Sequence, residues 1–147
     1  MKKSQFHLIT QIGSYCFENC TKLTKITYQD DNQIQSIGKR SFSSTSIKHI
    51  KIPSNITIIE EETFSNSLIE NITIPSNVTI INEKAFYKCS KLTTIEIPSD
   101  SKLQTIGNYA FSSTSIESIK IPSNVNIIGK FAFLDCSKLS IIDIPSD

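Results

Sequence analysis

Proline recurs as Pro53, Pro75, Pro98, Pro122 and Pro145, at spacings of 22, 23, 24 and 23 residues. Each closes one phrase: Ile50-Lys51-Ile52-Pro53, Ile72-Thr73-Ile74-Pro75, Ile95-Glu96-Ile97-Pro98, Ile119-Lys120-Ile121-Pro122 and Ile142-Asp143-Ile144-Pro145. A sixth, degenerate copy, Ile26-Thr27-Tyr28, lacks the proline. Phenylalanine keeps the same phase as Phe17, Phe42, Phe64, Phe86, Phe111 and Phe133, at spacings of 25, 22, 22, 25 and 22. A third column precedes each of these: Ile12-Gly13, Ile37-Gly38, Ile59-Glu60, Ile81-Asn82, Ile106-Gly107 and Ile128-Gly129. A unit of 22–25 residues cannot bury its own apolar face, so three columns in one phase require stacked units that share a core.

Aligned on the phrase, each unit reads L-x-x-I-x-I-P-x-N, starting at Leu23, Ile47, Ile69, Leu92, Ile116 and Leu139. The period of two and the β-branched residues predict a short strand with one face inward. Copies stacked about 4.8 Å apart make a parallel sheet. The proline belongs at the strand end, where no ladder donor is needed. The last position holds Asp31, Asn55, Asn77, Asp100, Asn124 and Asp147. Short polar side chains there predict a turn ladder bonding backbone where the chain leaves the sheet. The return path carries Val78, Ile80, Ile81 and Phe86. Ala85-Phe86, Ala110-Phe111 and Ala132-Phe133 suggest a tight turn or single helical turn, with the ring plugging the core. Length variation falls in Ser-, Thr-, Lys- and Asn-rich stretches, which marks loops.

The phrase together with Ile-Pro-Ser-x-Val-x-x-Ile-Gly-x-x-Ala-Phe-x-x-Cys-Ser-x-Leu, best preserved in 78–98 and 101–145, resembles the BspA-like leucine-rich repeat family of surface antigens. The resemblance covers roughly residues 8–147. It departs at Tyr28, which no proline follows; at Cys16 and Ser41 in the alanine position; and at Glu60 and Asn82, where the family usually has glycine. It implies a β-rich leucine-rich repeat solenoid over 1–147, a single domain of about six units. Its concave sheet would be parallel, with second short strands or single helical turns on the convex side. For function it implies surface display, binding to host or matrix proteins, and no enzymatic activity or cofactor.

Composition excludes several classes. The net charge of +1 gives no basic stripe for phosphates, so no nucleic-acid partner is expected. No apolar run reaches the roughly 18–20 residues of a membrane span, so no membrane insertion is expected. The stretch after Met1-Lys2-Lys3 is too polar for a signal peptide, which makes an intracellular scaffold the alternative to a surface antigen, unless the chain is part of a longer product. His7 and His49 have no partners at triad or ligand spacing, and no phosphate loop or nucleophile elbow is present. Glu60-Glu61-Glu62 is expected to be a solvated loop.

Cys20, Cys89 and Cys136 share one column in units 1, 4 and 6. At about 4.8 Å per unit they lie roughly 14 and 10 Å apart, too far for a disulfide or a zinc site. Cys16 and Cys20 could meet across one turn, but one close pair is not a zinc site. All four are expected as free thiols serving as small core residues. Four sequons occur, at Asn19, Asn55, Asn71 and Asn77. Asn55 and Asn77 are expected to face inward in the ladder, while Asn19 and Asn71 would be open to a glycan if the chain were secreted.

The residues flanking the central Ile of each strand should face outward on the concave sheet. One row is Lys25, His49, Asn71, Thr94, Ser118 and Ile141; the next is Thr27, Lys51, Thr73, Glu96, Lys120 and Asp143. This face is either a self-neutralising soluble surface or a protein-binding one, with Lys120 expected to pair with Glu96 and Asp143. No polar cap follows Ile144-Pro145-Ser146-Asp147, so the C-terminal face is expected either to be truncated or to support a homo-oligomer. Surface antigen, intracellular scaffold and self-assembling structural unit remain the three functional alternatives.

Overall fold

The strands are only two or three residues long, because each unit bends its chain several times within 22–25 residues. The structure is a computed structural model that describes residues 8–29 and 33–146. Among them lie β1 (Gln11–Ile12), β2 (Ser36–Ile37), β3 (Ile58–Ile59), β4 (Asn71–Thr73) and β5 (Ile80–Ile81). Then come β6 (Thr94–Glu96), β7 (Thr105–Ile106), β8 (Ser118–Lys120), β9 (Ile127–Ile128) and β10 (Ile141–Asp143). Every pairing is parallel and joins equivalent residues of successive coils, as Ile59 with Ile81 and Ile81 with Ile106. The chain is a parallel-strand β-solenoid, and among the described residues no α-helix forms.

The predicted shared interior is present. Ile52, Ile74 and Ile121 are buried, and Ile97 in the same row is half-buried. The rings of Phe17, Phe42, Phe64, Phe86, Phe111 and Phe133 form one continuous stack. Their centroid separations are 5.5, 5.7, 5.3, 5.3 and 5.7 Å, with interplanar angles no larger than 15°. Offset stacking of this kind adds to the burial of each ring.

The return path differs in weight from the sequence expectation. The Ile column before each Phe makes the longer sheet, β3-β5-β7-β9, with β1-β2 beside it. Among the described residues the Ile-x-Ile phrase pairs as strands only in β4-β6 and β8-β10. Those two junctions are the ones at which the phrase repeats after 23 residues; the 22- and 24-residue junctions do not pair as strands. The phrase face is therefore a sheet in two pieces. Side-chain hydroxyls bridge the coils beside it: Ser46 Oγ donates to the Thr21 carbonyl at 2.6 Å and Ser115 Oγ to the Ser90 carbonyl at 2.8 Å.

Between the two strand positions, each coil turns around its Phe on two left-handed residues, neither of them glycine. They stand two before and two after the ring: Tyr15 and Asn19, Arg40 and Ser44, Glu62 and Asn66, Lys84 and Lys88, Tyr109 and Ser113, Phe131 and Asp135, all with φ between 53° and 62°. Such a conformation costs an L-residue about 1 kcal/mol or more. Here it turns the N–H along the stack. Lys84 N donates to the Asn108 carbonyl at 2.9 Å, Phe86 N to Ala110 at 2.8 Å and Lys88 N to Ser112 at 2.9 Å. The same three bonds recur at the junctions before and after it. Three inter-coil bonds per junction, repeated along the stack, offset the local strain.

The coils also approach closely beside the Ile column. A Cβ on Gly107 would stand 2.7 Å from the Asn82 carbonyl carbon and the Glu83 nitrogen, both backbone atoms that cannot swing away. Gly13, in the first described coil, has nothing within 4 Å of that position. The glycine requirement at Gly107 is thus one of inter-coil contact, set by the neighbour in the stack.

Candidate functional site

The outward rows of the phrase face are where the alternation places them. In β4, β6 and β8 the outer residues Asn71, Thr73, Thr94, Glu96, Ser118 and Lys120 are exposed, and the central Ile72, Ile95 and Ile119 are buried. Lys25, Thr27, His49 and Lys51 are exposed as well, although their segments are not strands. In β10 all three residues are exposed, Ile142 included, because no coil covers it among the described residues.

A groove of about 550 Å³ lies on this face where the Ile50 phrase and the Ile72 phrase fail to pair. His49, Lys51, Asn71 and Thr73 line it with Ser54, Ser76 and Asn77, over a floor that includes Ile52, Ile72, Pro75 and Pro98. Apolar floor and polar rim fit a docked chain segment. Lys48 sits 3.2 Å from Glu70 at its margin, and His49 Nε2 stands 3.9 Å from the same carboxylate. Thr73 donates to Glu96 across the sheet at 3.1 Å.

The expected pairing of Lys120 with Glu96 is not made, because the sheet is broken between β6 and β8 and Glu96 turns to Thr73 instead. Lys120 stands opposite Asp143 in register, yet no ion pair forms there among the described residues. The turn positions lie at the surface. Asn77 Nδ2 donates to the Ser54 carbonyl at 3.1 Å, its Oδ1 accepts from Lys102 at 2.9 Å, and Asn124 Nδ2 donates to the Ser101 carbonyl at 2.8 Å. Asp100 accepts from Ser76 at 2.7 Å. Asn55 is exposed and Asn77 half-buried, so neither points into the core as expected; the hydrogen-bonded groups they serve are at the coil surface. Asp31 and Asp147 lie outside the described residues.

The thiols divide. Cys89 is fully buried and donates to the Phe64 carbonyl at 3.0 Å; Cys136 donates likewise to Phe111 at 3.0 Å. Cys16 and Cys20 are exposed, contrary to a core role, since they belong to the first described coil and no earlier coil covers them among the described residues. In the other units Thr45, Ser67 and Thr114 hold the same column, and Thr45 and Thr114 donate to the Phe carbonyl of their own coil at 2.9 and 2.8 Å. The column is an internal hydroxyl and thiol ladder, which composition alone did not reveal. The Glu60-Glu61-Glu62 run is not simply solvated either. It is half-buried, with Glu61 2.9 Å from Lys39 and Glu62 3.4 Å from Arg40, which also meets Glu18 at 2.9 Å. Glu61 beside Lys39 raises the lysine pKa above its ordinary value.

Among the described residues no group of three metal-ligating side chains converges, and no helix is long and apolar enough to cross a membrane.

The BspA type leucine-rich repeat region matches over residues 4–102 and 57–147, in six copies. No curated protein matches the chain. Among solved structures, a leucine-rich cell surface protein from Faecalibacterium prausnitzii is 32% identical, with a TM-score of 0.79, covering 91% of this chain and 36% of its own. The pneumococcal vaccine antigen PcpA is 26% identical, with a TM-score of 0.80, over 94% of this chain and 36% of that one. A leucine-rich repeat protein from Bacteroides ovatus is 26% identical, with a TM-score of 0.65, over 93% and 41%. The chain thus spans 36–41% of the length of these three relatives.

Proposed function

The chain belongs to the BspA-type leucine-rich repeat family, and we propose that it is a non-enzymatic protein-interaction module displayed at a cell surface, binding host or matrix proteins through the phrase face. The observation that carries this reading is the groove at the unpaired junction, where His49, Lys51, Asn71 and Thr73 present polar groups around an apolar floor. Similarity to a cell surface protein and to a vaccine antigen supports the location. A rigid repetitive face with mixed charge selects partners by complementarity of charge and shape. Immobilised fibronectin, laminin and collagen are the probes. Saturable binding to at least one is expected, weakened about tenfold or more when Lys51 and Lys120 are both changed to Glu. Unchanged binding by that variant, or protection of the chain from external protease on intact cells, would overturn the reading.

Self-assembly is a second reading, favoured by the last described coil. Ile127, Ile128, Leu134, Ile141, Ile142 and Ile144 are all exposed there, by 42–62%. Those of them that face along the stack, as Ile128 and Ile142 do in register with the buried Ile106 and Ile119, would be covered by another coil, from a continuation of the chain or from a second copy. The 147-residue chain is expected to sediment as a larger species as its concentration rises through the micromolar range, and Ile142→Lys should hold it as a monomer. A strict monomer at high concentration removes this reading.

A further inference from the structure

The edge of the solenoid on which the chain turns around the Phe stack is not uniform. Over the first coils it is closed electrostatically: Arg40 lies between Glu18 and Glu62, and Lys39 is bonded to Glu61. Arg40 also lies 5.9 Å from the Tyr15 ring centroid, between its two carboxylates. Over the fourth to sixth coils the cations meet aromatic faces with fewer carboxylates beside them. Lys84 Nζ stands 5.8 Å from the Tyr109 ring centroid, and Lys88 Nζ 5.2 Å from that of Tyr87. Tyr87 meets Tyr109 edge-on at 6.4 Å, and Tyr109 stacks on Phe131 at 5.0 Å. The rings are therefore joined into one ridge, separate from the core Phe stack and on a different side from the phrase face.

The charge around this ridge is one-sided. Residues 84–95 hold Lys84, Lys88 and Lys91 and no acidic residue, and 107–116 in the next coil hold no charge at all. Lys88 is flanked in its column by Asn66 and Ser113, and no carboxylate reaches it among the described residues. Lys84 has only its neighbour Glu83, at 3.4 Å, while Glu62 of the preceding coil is drawn to Arg40. A lysine resting on a ring face keeps donors free for an incoming anion, and aromatic residues beside it supply contact area at small entropic cost.

We propose that the Lys84, Tyr87, Lys88, Tyr109 ridge is a second interaction surface, which takes an acidic protein segment carrying an aromatic or large apolar anchor. The carboxylates meet Lys84 and Lys88, and the anchor packs on the rings of Tyr87 and Tyr109. Charge complementarity selects this partner: no carboxylate reaches Lys88 among the described residues, Lys84 has only Glu83 at 3.4 Å, and residues 107–116 of the next coil hold no counter-charge. The two tyrosines and two lysines lie in coils covered on both sides within the chain, so the surface does not depend on what adjoins its ends.

The test is selection of phage-displayed random 12-residue peptides on the immobilised chain, followed by titration of the enriched peptides. Enriched peptides should pair two or more Asp or Glu with Phe, Tyr or Trp. Lys84→Glu with Lys88→Glu should weaken them at least tenfold, as should Tyr87→Ser with Tyr109→Asn, the asparagine being chosen to accept the left-handed backbone at that position. Lys51→Glu with Lys120→Glu on the phrase face should leave their affinity unchanged, which separates this surface from the one proposed above. Circular dichroism of each variant confirms that the fold is kept. No enrichment, peptides without acidic residues, unaltered binding by both ridge variants, or equal capture of an anionic oligosaccharide would each overturn the proposal.

Discussion

Phe86→Ala should lower the free energy of unfolding by about 3–5 kcal/mol, the cost of a large cavity that a close-packed interior cannot collapse into. Phe86 is fully buried, with Phe64 and Phe111 each 5.3 Å away on its two sides. Its removal also breaks a stack of six rings into runs of three and two. Phe133→Ala is the control. That ring is half-buried and has one stacked neighbour, Phe111 at 5.7 Å, so the loss there should be less than half as large. In a solenoid each coil rests only on its neighbours, and a central defect uncouples the two halves, so the Phe86 variant should also unfold over a broader denaturant range. Urea titration followed by far-ultraviolet circular dichroism reads both effects. Equal losses at the two positions would show that the ring stack is not what couples the coils.

The sequence was most legible where one residue type repeats for one reason. The Phe column and the two Ile columns specify the interior, and the structure has them in it because each is the only large apolar group at its place in the unit. The outward rows followed from alternation within three-residue strands, which leaves little freedom once the central Ile is buried. Three features were hidden. The left-handed turn residues carry no glycine signature: Tyr15, Arg40, Glu62, Lys84, Tyr109 and Phe131 are unremarkable types, and the bonds that the first five donate to the next coil appear only once the coils are stacked. The break in the phrase sheet, and with it the groove, depends on differences of a single residue between loops, which column alignment averages away. The aromatic ridge was missed because its rings come from two columns, Tyr87 one residue after the repeated Phe and Tyr109 and Phe131 two before it; they meet only when coils are stacked. A search for exposed anchors confined to the strand rows could not find them.

The buried thiol gives a sharper test of stacking than its size suggests. Cys89 is out of contact with water, and burial pushes its pKa from 9.0 up to about 12 despite the bond to Ser67. At pH 8 about one in ten thousand such groups is ionised, and the thiolate is the reactive form. Iodoacetamide should therefore modify Cys16 and Cys20 first, with Cys89 slower by about a thousandfold or more until the chain is unfolded. Mass spectrometry of timed digests separates the sites. The same shift makes stability depend on pH. The unfolded thiol releases its proton near pH 9 and the folded one only near about 12, so the unfolded state binds fewer protons in between. The contribution is fully present below about 9 and declines toward 12, by about 1 kcal/mol per pH unit. Cys89→Thr should remove this slope. Threonine already fills the column as Thr45 and Thr114, where its hydroxyl bonds a Phe carbonyl, so the substitution should cost only about 1 kcal/mol at neutral pH. The lysines and tyrosines that titrate in the same range are common to both proteins and cancel in the difference. Urea midpoints at pH 8, 9 and 10 measure that difference. Parallel lines for the two proteins, or rapid labelling of Cys89 in the folded chain, would mean that the fourth coil is open to water and that the coils do not close on one another as described.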